Sequence, residues 1–251
     1  MTDRFWLRPK WVVGHVLCLT LIALFVNLGF WQLRRLDERQ ARNDLIEARR
    51  DAEPVDVDEA LADGPEAAEY RRVRTSGRWE VDETVLVRSR ALNERAGYDV
   101  VTPLVTDGGL VVAVNRGFAP NGAGGEPAIL QAVRPASPSA TVEGVLRASE
   151  ERGRFGPQDA DGEQQVVNRI DLRRLQAQSD HELAPLFVQA TAVEPAPQAV
   201  PLARPAPGTD EGPHLGYAAQ WFIFATVGAV GWPLLLRKTA RDERHEEDIP
   251  A

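Results

Sequence analysis

The chain has 251 residues, 43% of them apolar and 26% charged, with a formal net charge of −8 and one cysteine, Cys18. An acidic chain without a basic stripe cannot neutralise a run of phosphates, which excludes nucleic acid as its partner. A single thiol excludes an intrachain disulfide, a cysteine-based metal site and a Cys-x-x-Cys redox pair.

Residues 1–10 carry Arg4, Arg8 and Lys10, and Trp11 to Leu33 follows as 23 residues without a charge. A helix of that length reaches about 34 Å, enough to cross a bilayer core. A secretory signal would have a shorter apolar region ending in small residues at a cleavage site. This run ends in the bulky Gly29-Phe30-Trp31-Gln32-Leu33-Arg34-Arg35, so an uncleaved transmembrane anchor is expected. Too little chain precedes it for an organellar transit peptide, and a bacterial plasma membrane is the expected home.

Leu36–Arg50 is charged around Leu45, Ile46 and Ala48 and reads as the helix continuing out of the membrane. Arg50 to Ala68 is acidic and reads as loop, with a short helix at Asp58–Leu61. Strand signals then accumulate at Val73–Trp79 and Thr84–Arg90. Tyr98–Val105 and Leu110–Asn115 are apolar runs separated by Asp107-Gly108-Gly109, a hairpin turn. Asn115-Arg116-Gly117 reads as a strand end and turn, and Asn121–Pro127 as a flexible loop. Further strands are expected at Thr141–Arg147, Gln165–Ile170 and Leu186–Val193. A short helix is expected at Asp171–Gln178, with Asp171 favourably near its N-terminus. Glu194 to Pro213 is a Pro-rich connector. The expected fold is an α+β domain with mostly antiparallel strands, residues 34–213, held between two transmembrane α-helices.

The second span follows. Leu215 to Leu236 is 22 residues without a charge, closed by Arg237 and Lys238. His214, Tyr217 and Trp221 fall at i, i+3 and i+7, which puts an imidazole, a phenol and an indole on one helical face at a membrane surface. Ala218, Ala225, Gly228, Ala229 and Gly231 let another helix or a flat ligand approach. The structural alternative makes Tyr217 and Trp221 interfacial belt residues and His214 the first polar residue outside. Arg237, Lys238, Arg241 and Arg244 lie close behind this span, whereas Arg204 is the only Lys or Arg in the 20 residues before it. The positive-inside rule then puts the tail, 237–251, in the cytoplasm. With two spans the N-terminus shares that side, and the domain lies outside.

Catalytic constellations are missing. Of His15, His181, His214 and His245, only His181 and His214 can meet outside the cytoplasm. No His-x-x-x-His pair and no Gly-x-Ser-x-Gly elbow exists. Gly122-Ala123-Gly124-Gly125 lacks the Lys-Ser/Thr of a phosphate loop and reads as plain loop.

Leu28-Gly29-Phe30-Trp31-Gln32-Leu33-Arg34-Arg35 resembles the Leu-Gly-x-Trp-Gln-x-x-Arg signature of the Surfeit-locus-one (Surf-one) family, assembly factors of haem–copper cytochrome c oxidase. Gly97-Tyr98-Asp99-Val100-Val101-Thr102-Pro103 and Asn115-Arg116-Gly117-Phe118-Ala119-Pro120 resemble two further segments of that family. His214-Leu215-x-Tyr217-Ala218-x-x-Trp221-Phe222 resembles its closing motif. The four matches come in the family's order and cover most of the chain. Departures are Pro213 where Asn is usual, Arg39 where Lys is common, and 155–172, which lacks a Trp often found there.

The resemblance implies a non-enzymatic membrane protein that promotes haem a insertion or site maturation in oxidase subunit I, with haem a synthase as a further partner. It implies that His214 is a ligand of haem a iron. Tyr217 and Trp221 would wall the slot, while Gly29, Trp31, Gln32 and Arg35 would pack against the second span or, at an arginine, receive a propionate; the alternative is that Trp31 and Arg35 anchor the end of the span. Two other classes stay open: a scaffold that binds oxidase subunits or haem synthase without touching haem, and an extracytoplasmic enzyme with no nameable nucleophile–base pair.

Overall fold

Both charge-free runs lie inside unbroken helices. A computed structural model describes residues 5–154 and 156–247; the extreme cytoplasmic ends expected at 1–4 and 248–251, and Phe155 of the departing 155–172 stretch, lie outside the described residues. In chain order the elements are α1 (Pro9–Arg50), α2 (Val57–Leu61), α3 (Pro65–Ala68), β1 (Arg72–Trp79), β2 (Val85–Leu92), β3 (Arg95–Thr106) and β4 (Val111–Pro120). They continue with α4 (Gly125–Ala132), β5 (Ser139–Ala148), β6 (Val166–Val167), α5 (Leu172–Gln176), β7 (Leu186–Glu194) and α6 (His214–Glu247). Two units result: Met1–Asp44 with Thr209–Ala251, and Leu45–Gly208.

The first unit pairs α1 with α6. Pro9–Arg49 and His214–Asp242 are long and apolar enough to cross a membrane, by length and composition. Their outward side chains are apolar and exposed, Val13 at 67% and Val227 at 64% among them. Such a surface is costly in water, so the two helices suggest membrane association. Their mutual face is built on small residues. A Cβ at Gly29 would lie 2.7 Å from the Phe222 ring, and one at Gly14 would lie 2.6 Å from the Trp232 ring. Glycine at both positions is therefore what lets an aromatic ring of α6 seat directly on the backbone of α1. Ala218 and Ala225 of α6 are buried. The expected packing of Gly29 against the second span is what the structure has.

The second unit is a mixed sheet in the order β1-β5-β7-β4-β3-β2-β6, with an added pairing of β1 with β3. That pairing, Gly77 opposite Thr106 through Trp79 opposite Leu104, joins the ends and closes a ring of five strands, β1-β5-β7-β4-β3. Most neighbours are antiparallel, as expected, but β4–β7 and β2–β6 run parallel. One apolar cluster draws on every ring strand: Val73, Leu104, Val112, Val114, Val142, Leu146 and Val188, with Val57 and Ala60 of α2 packed on it. A second cluster on the other side of β2–β3–β4–β7 brings Val85, Val101, Ala113 and Phe187 under Leu172 and Leu175 of α5. A third packs Ile129 and Val133 on Leu86, Val100 and Ala119. Strands β3 and β4 are thus buried on both faces, which explains why their sequences are continuously apolar rather than alternating.

The turn at Asp107-Gly108-Gly109 is present: Gly109 takes φ +88 and Thr106 N–H donates to Leu110 O at 2.8 Å. Asp171 caps α5, its Oδ1 accepting from the N–H of Arg173 at 3.1 Å. Three expectations are corrected. The loop at Asn121–Pro127 runs into a helix, α4, which starts at Gly125 after Gly124 in the left-handed region. Its glycines hid it, although Pro127 in the first turn and Ala128-Ile129-Leu130-Gln131-Ala132 after it are helix-compatible. The strand expected at Gln165–Ile170 shrinks to Val166–Val167.

The third correction falls on Asn115-Arg116-Gly117, which sits within β4 rather than at a strand end. Val100 faces Gly117 and Val101 faces Asn115, so Arg116 is the extra residue of a β-bulge. The bulge is fixed locally and from across the chain. Gly117 has φ +130, its N–H donates to Asn115 Oδ1 at 3.1 Å, and a Cβ on it would lie 2.3 Å from Leu202 O. Only glycine fits there. Leu202 of the connector pairs with Phe118 through hydrogen bonds of 2.8 and 2.7 Å, so part of the Pro-rich connector is docked on β4.

Candidate functional site

His214 is the first residue of α6. The chain reaches it through a segment tied to α1: Asn43 Nδ2 donates to Thr209 O at 2.8 Å and Gln40 Nε2 to Glu211 Oε1 at 3.1 Å. The imidazole of His214 then meets Gln32 of α1, Nδ1 to Oε1 at 2.8 Å. An amide oxygen only accepts, so with Gln32 Oε1 as the partner Nδ1–H is the donor, and in the neutral ring that tautomer has its lone pair on Nε2. Beside Nε2 stands Gly212, at φ +71, whose missing Cβ would lie 3.5 Å away. The half-buried ring therefore has one nitrogen held by Gln32 and the other without a bulky neighbour at the Gly212 position.

Aromatic side chains line the helix pair beyond this end. Phe30 meets Phe222 edge-on at 5.4 Å, and Phe25 stacks on Trp221 at 5.6 Å and 25°. Trp221 is half-buried and committed to that contact. Tyr217 is 48% exposed. At about 100° per residue it lies some 60° from His214, on the side away from the buried Ala218–Ala225 line. The expected shared face thus divides, with His214 and Trp221 toward α1 and Tyr217 outward. Trp31 is also exposed, and the guanidinium of Arg35 lies over its ring at 5.9 Å. Arg35 pairs with Glu38 at 2.9 Å, both side chains more than half exposed, so that bond contributes little. Trp31 and Arg35 form their own pair; the residue of that motif that reaches His214 is Gln32.

The sequence reading missed a second polar contact in this unit. Trp232 Nε1 donates to His15 Nδ1 at 2.8 Å, and His15 Nε2 in turn lies 3.2 Å from Trp6 O. Both nitrogens of His15 are occupied, which makes it a helix-packing group rather than a ligand. Its partner lies 217 positions along the chain, and no local pattern reports that. His181 belongs to the other unit, in the loop after α5. Among the described residues no group of three or more His, Cys, Asp or Glu side chains could hold a metal ion.

A buried polar network in the sheet unit was also missed. Asp99 of β3 is buried, accepts from Arg204 Nε at 2.6 Å and Asn115 Nδ2 at 3.2 Å, and forms an ion pair with Arg90, whose Nε lies 3.4 Å away without a hydrogen bond. Arg90 continues to Glu150, which also accepts the N–H of Ile170. Arg204 lies over Phe118 at 5.5 Å. Burial pushes the Asp99 carboxyl up, and the pull of Arg204, Arg90 and Asn115 in the other direction does not fully offset it. The network ties β2, β3, β4 and the connector to one carboxylate.

A family model described as the SURF1 family matches residues 19–226, which include Gln32, Asp99, Arg116 and His214. An uncharacterized SURF1-like protein of Mycobacterium tuberculosis is 29% identical over 252 residues, covering 97% of this chain and 89% of that protein. Surfeit locus protein 1 of Takifugu rubripes is 24% identical over 237 residues, covering 85% and 93%. Cytochrome oxidase assembly protein SHY1 of Saccharomyces cerevisiae is 31% identical over 111 residues, covering 43% of this chain and 28% of the yeast protein. Four motifs in order, two apolar helices flanking a mixed sheet, and a family match over most of its length lead to one conclusion: this chain belongs to the SURF1 family.

Proposed function

We propose that the chain is an assembly factor for a haem–copper cytochrome c oxidase, promoting haem a insertion or maturation of its site in subunit I. The carrying observation is family membership, together with a relative whose name is that of a cytochrome oxidase assembly protein. Haem a is cargo in this reading, with haem a synthase as a candidate donor. His214 fits an axial ligand. Its Nδ1–H is held by Gln32 and its Nε2 lone pair is free, the state that iron coordination requires. Arg35, only weakly engaged by exposed Glu38, is available to a propionate, and the exposed rings of Trp31 and Tyr217 offer apolar surface. A second reading, a scaffold that never touches haem, draws support from the same bond, since His214–Gln32 by itself joins α1 to α6.

Deleting the gene is expected to lower the haem a content and activity of the oxidase while sparing other membrane haem proteins, measured by difference spectra and oxygen uptake. Normal oxidase maturation under limiting haem and copper would exclude the assembly role.

The same reading makes the protein a two-span resident of a bacterial plasma membrane with both ends cytoplasmic, supported by the basic cluster behind the charge-free run of α6 and the apolar exposed flanks of both helices. Single cysteines at Glu53, Gly108 and Gly122, in a Cys18→Ser background, should react with an impermeant maleimide in intact cells. Protection at all three with labelling at the ends would reverse the topology.

A further inference from the structure

The bulge in β4 turns Arg116 into the domain, where it meets no acid among the described residues. The residue is 6% exposed, and Nη1 donates to Val133 O, at the end of α4, at 2.9 Å and to Thr102 Oγ1 at 3.4 Å. The Trp79 ring covers one face of the guanidinium at 5.1 Å from its centroid. Nε is sealed off and has no partner. Nη2 likewise donates to nothing among the described residues, and it is not among the sealed atoms. The nearest acid on the facing strand, Asp99, is already held by Arg204 and Arg90. Burial alone lowers the Arg116 pKa to about 10, with no carboxylate acting against it.

This cation lines a cavity of about 340 Å³. That volume is within the range of small-molecule sites. Its other walls include Trp79, Val193 and, from the connector, Pro195, Pro197 and Pro201, with Arg134 also lining it. The Arg116 guanidinium stands at one side, and the Trp79 ring, Val193 and the proline faces form the apolar walls; Ser137, Ser139 and Gln198 line the cavity as well. One carboxylate on an apolar body matches a buried guanidinium set beside an aromatic ring and prolines. A helix-capping role for Nη1 accounts for that nitrogen alone and leaves Nη2, the donor that is not sealed off, unused.

We propose that this cavity binds a small apolar carboxylic acid as its anion, with Arg116 as the counter-ion and Trp79 and the connector prolines as the enclosing walls. The proposal is independent of the oxidase reading, because it rests on the sheet unit alone.

The test uses the full chain in detergent with benzoate as probe, read by ligand-observed saturation-transfer NMR and by the thermal midpoint. Benzyl alcohol, of similar size and neutral, controls for partition into the micelle. Benzoate should bind and raise the midpoint, and benzyl alcohol should not. Arg116→Met should weaken benzoate by about tenfold or more, the size of a lost charge-assisted hydrogen bond. Because that variant also removes the Val133 contact, Ala196→Trp serves as the second: it narrows the cavity from the connector side and leaves Arg116 in place. It should lose benzoate while keeping the parental midpoint without ligand. Absence of benzoate binding to the parent at millimolar concentration overturns the proposal. So does binding unchanged in Ala196→Trp, or equal binding of benzyl alcohol.

Discussion

Purified from cells that make haem a, a chain carrying His214→Ala is expected to lose most of its co-purifying haem and to shift any Soret band that remains. Gln32 accepts from Nδ1 of His214 at 2.8 Å, which holds the ring plane and, under the proposed function, leaves Nε2 as the nitrogen that would meet iron. Removing the imidazole would then remove the proposed ligand itself. Gln32→Leu removes only its orientation, so binding should weaken and the spectrum should broaden rather than vanish. The amount of protein in the membrane should not change in either variant, because the charge-free run of α6 is untouched. Tyr217→Phe should keep the haem, since the exposed ring surface survives. Trp221→Ala should weaken it indirectly, through loss of the stack on Phe25 at 5.6 Å and a loosened helix pair. An unaltered spectrum in His214→Ala would transfer the argument to the scaffold reading.

Asp99→Ala is expected to cost the sheet unit about 3–5 kcal/mol, the range for removing one partner of a buried ion pair. The side chains of Asp99, Arg204 and Arg90 are only 5%, 18% and 24% exposed. Without the carboxylate, two guanidiniums share a pocket with the amide of Asn115, and only Glu150 is left to answer Arg90. Asp99→Asn keeps shape and one acceptor and should cost less. Denaturant titration followed by near-ultraviolet circular dichroism, to which Trp79 contributes as the one tryptophan of the sheet unit, measures both. A loss below about 1 kcal/mol for the alanine variant would mean that the arginines find other partners and that Asp99 does not hold the connector.

The apolar helices were legible because a missing charge is a local property, visible in 22 or 23 consecutive residues. The hairpin at Asp107-Gly108-Gly109 and the cap at Asp171 were legible for the same reason: each is decided within four residues. What the sequence hid is non-local. Gln32 and His214 are 182 positions apart, and His15 and Trp232 are 217 apart. The bulge at Arg116 looks like a turn because Asn and Gly are turn residues, yet what demands Gly117 is the oxygen of Leu202, far along the chain. The helix α4 was hidden by the opposite error, in which Gly124 and Gly125 outweighed the helix formers behind them. The motif resemblance named Gly29, Trp31, Gln32 and Arg35 together at the end of the first charge-free run; the geometry gives the contacts with α6 to Gly29 and Gln32 and leaves Trp31 and Arg35 paired with each other.

Closure of the strand ring has a temporal side. Strand β1 finds one ring neighbour in β3 and the other in β5, about 65 residues further on, and β4 waits for β7 at residues 186–194. Parallel and long-range pairings are slow, since the loop must be closed before any contact rewards it. While the chain is emerging from the ribosome, β4 therefore presents an apolar, unpaired edge until the last strand arrives. Synthesis must be nearly complete before that edge is covered, and the next long element to follow is α6. A truncation anywhere before residue 186 thus yields an open, adhesive sheet rather than a smaller folded domain.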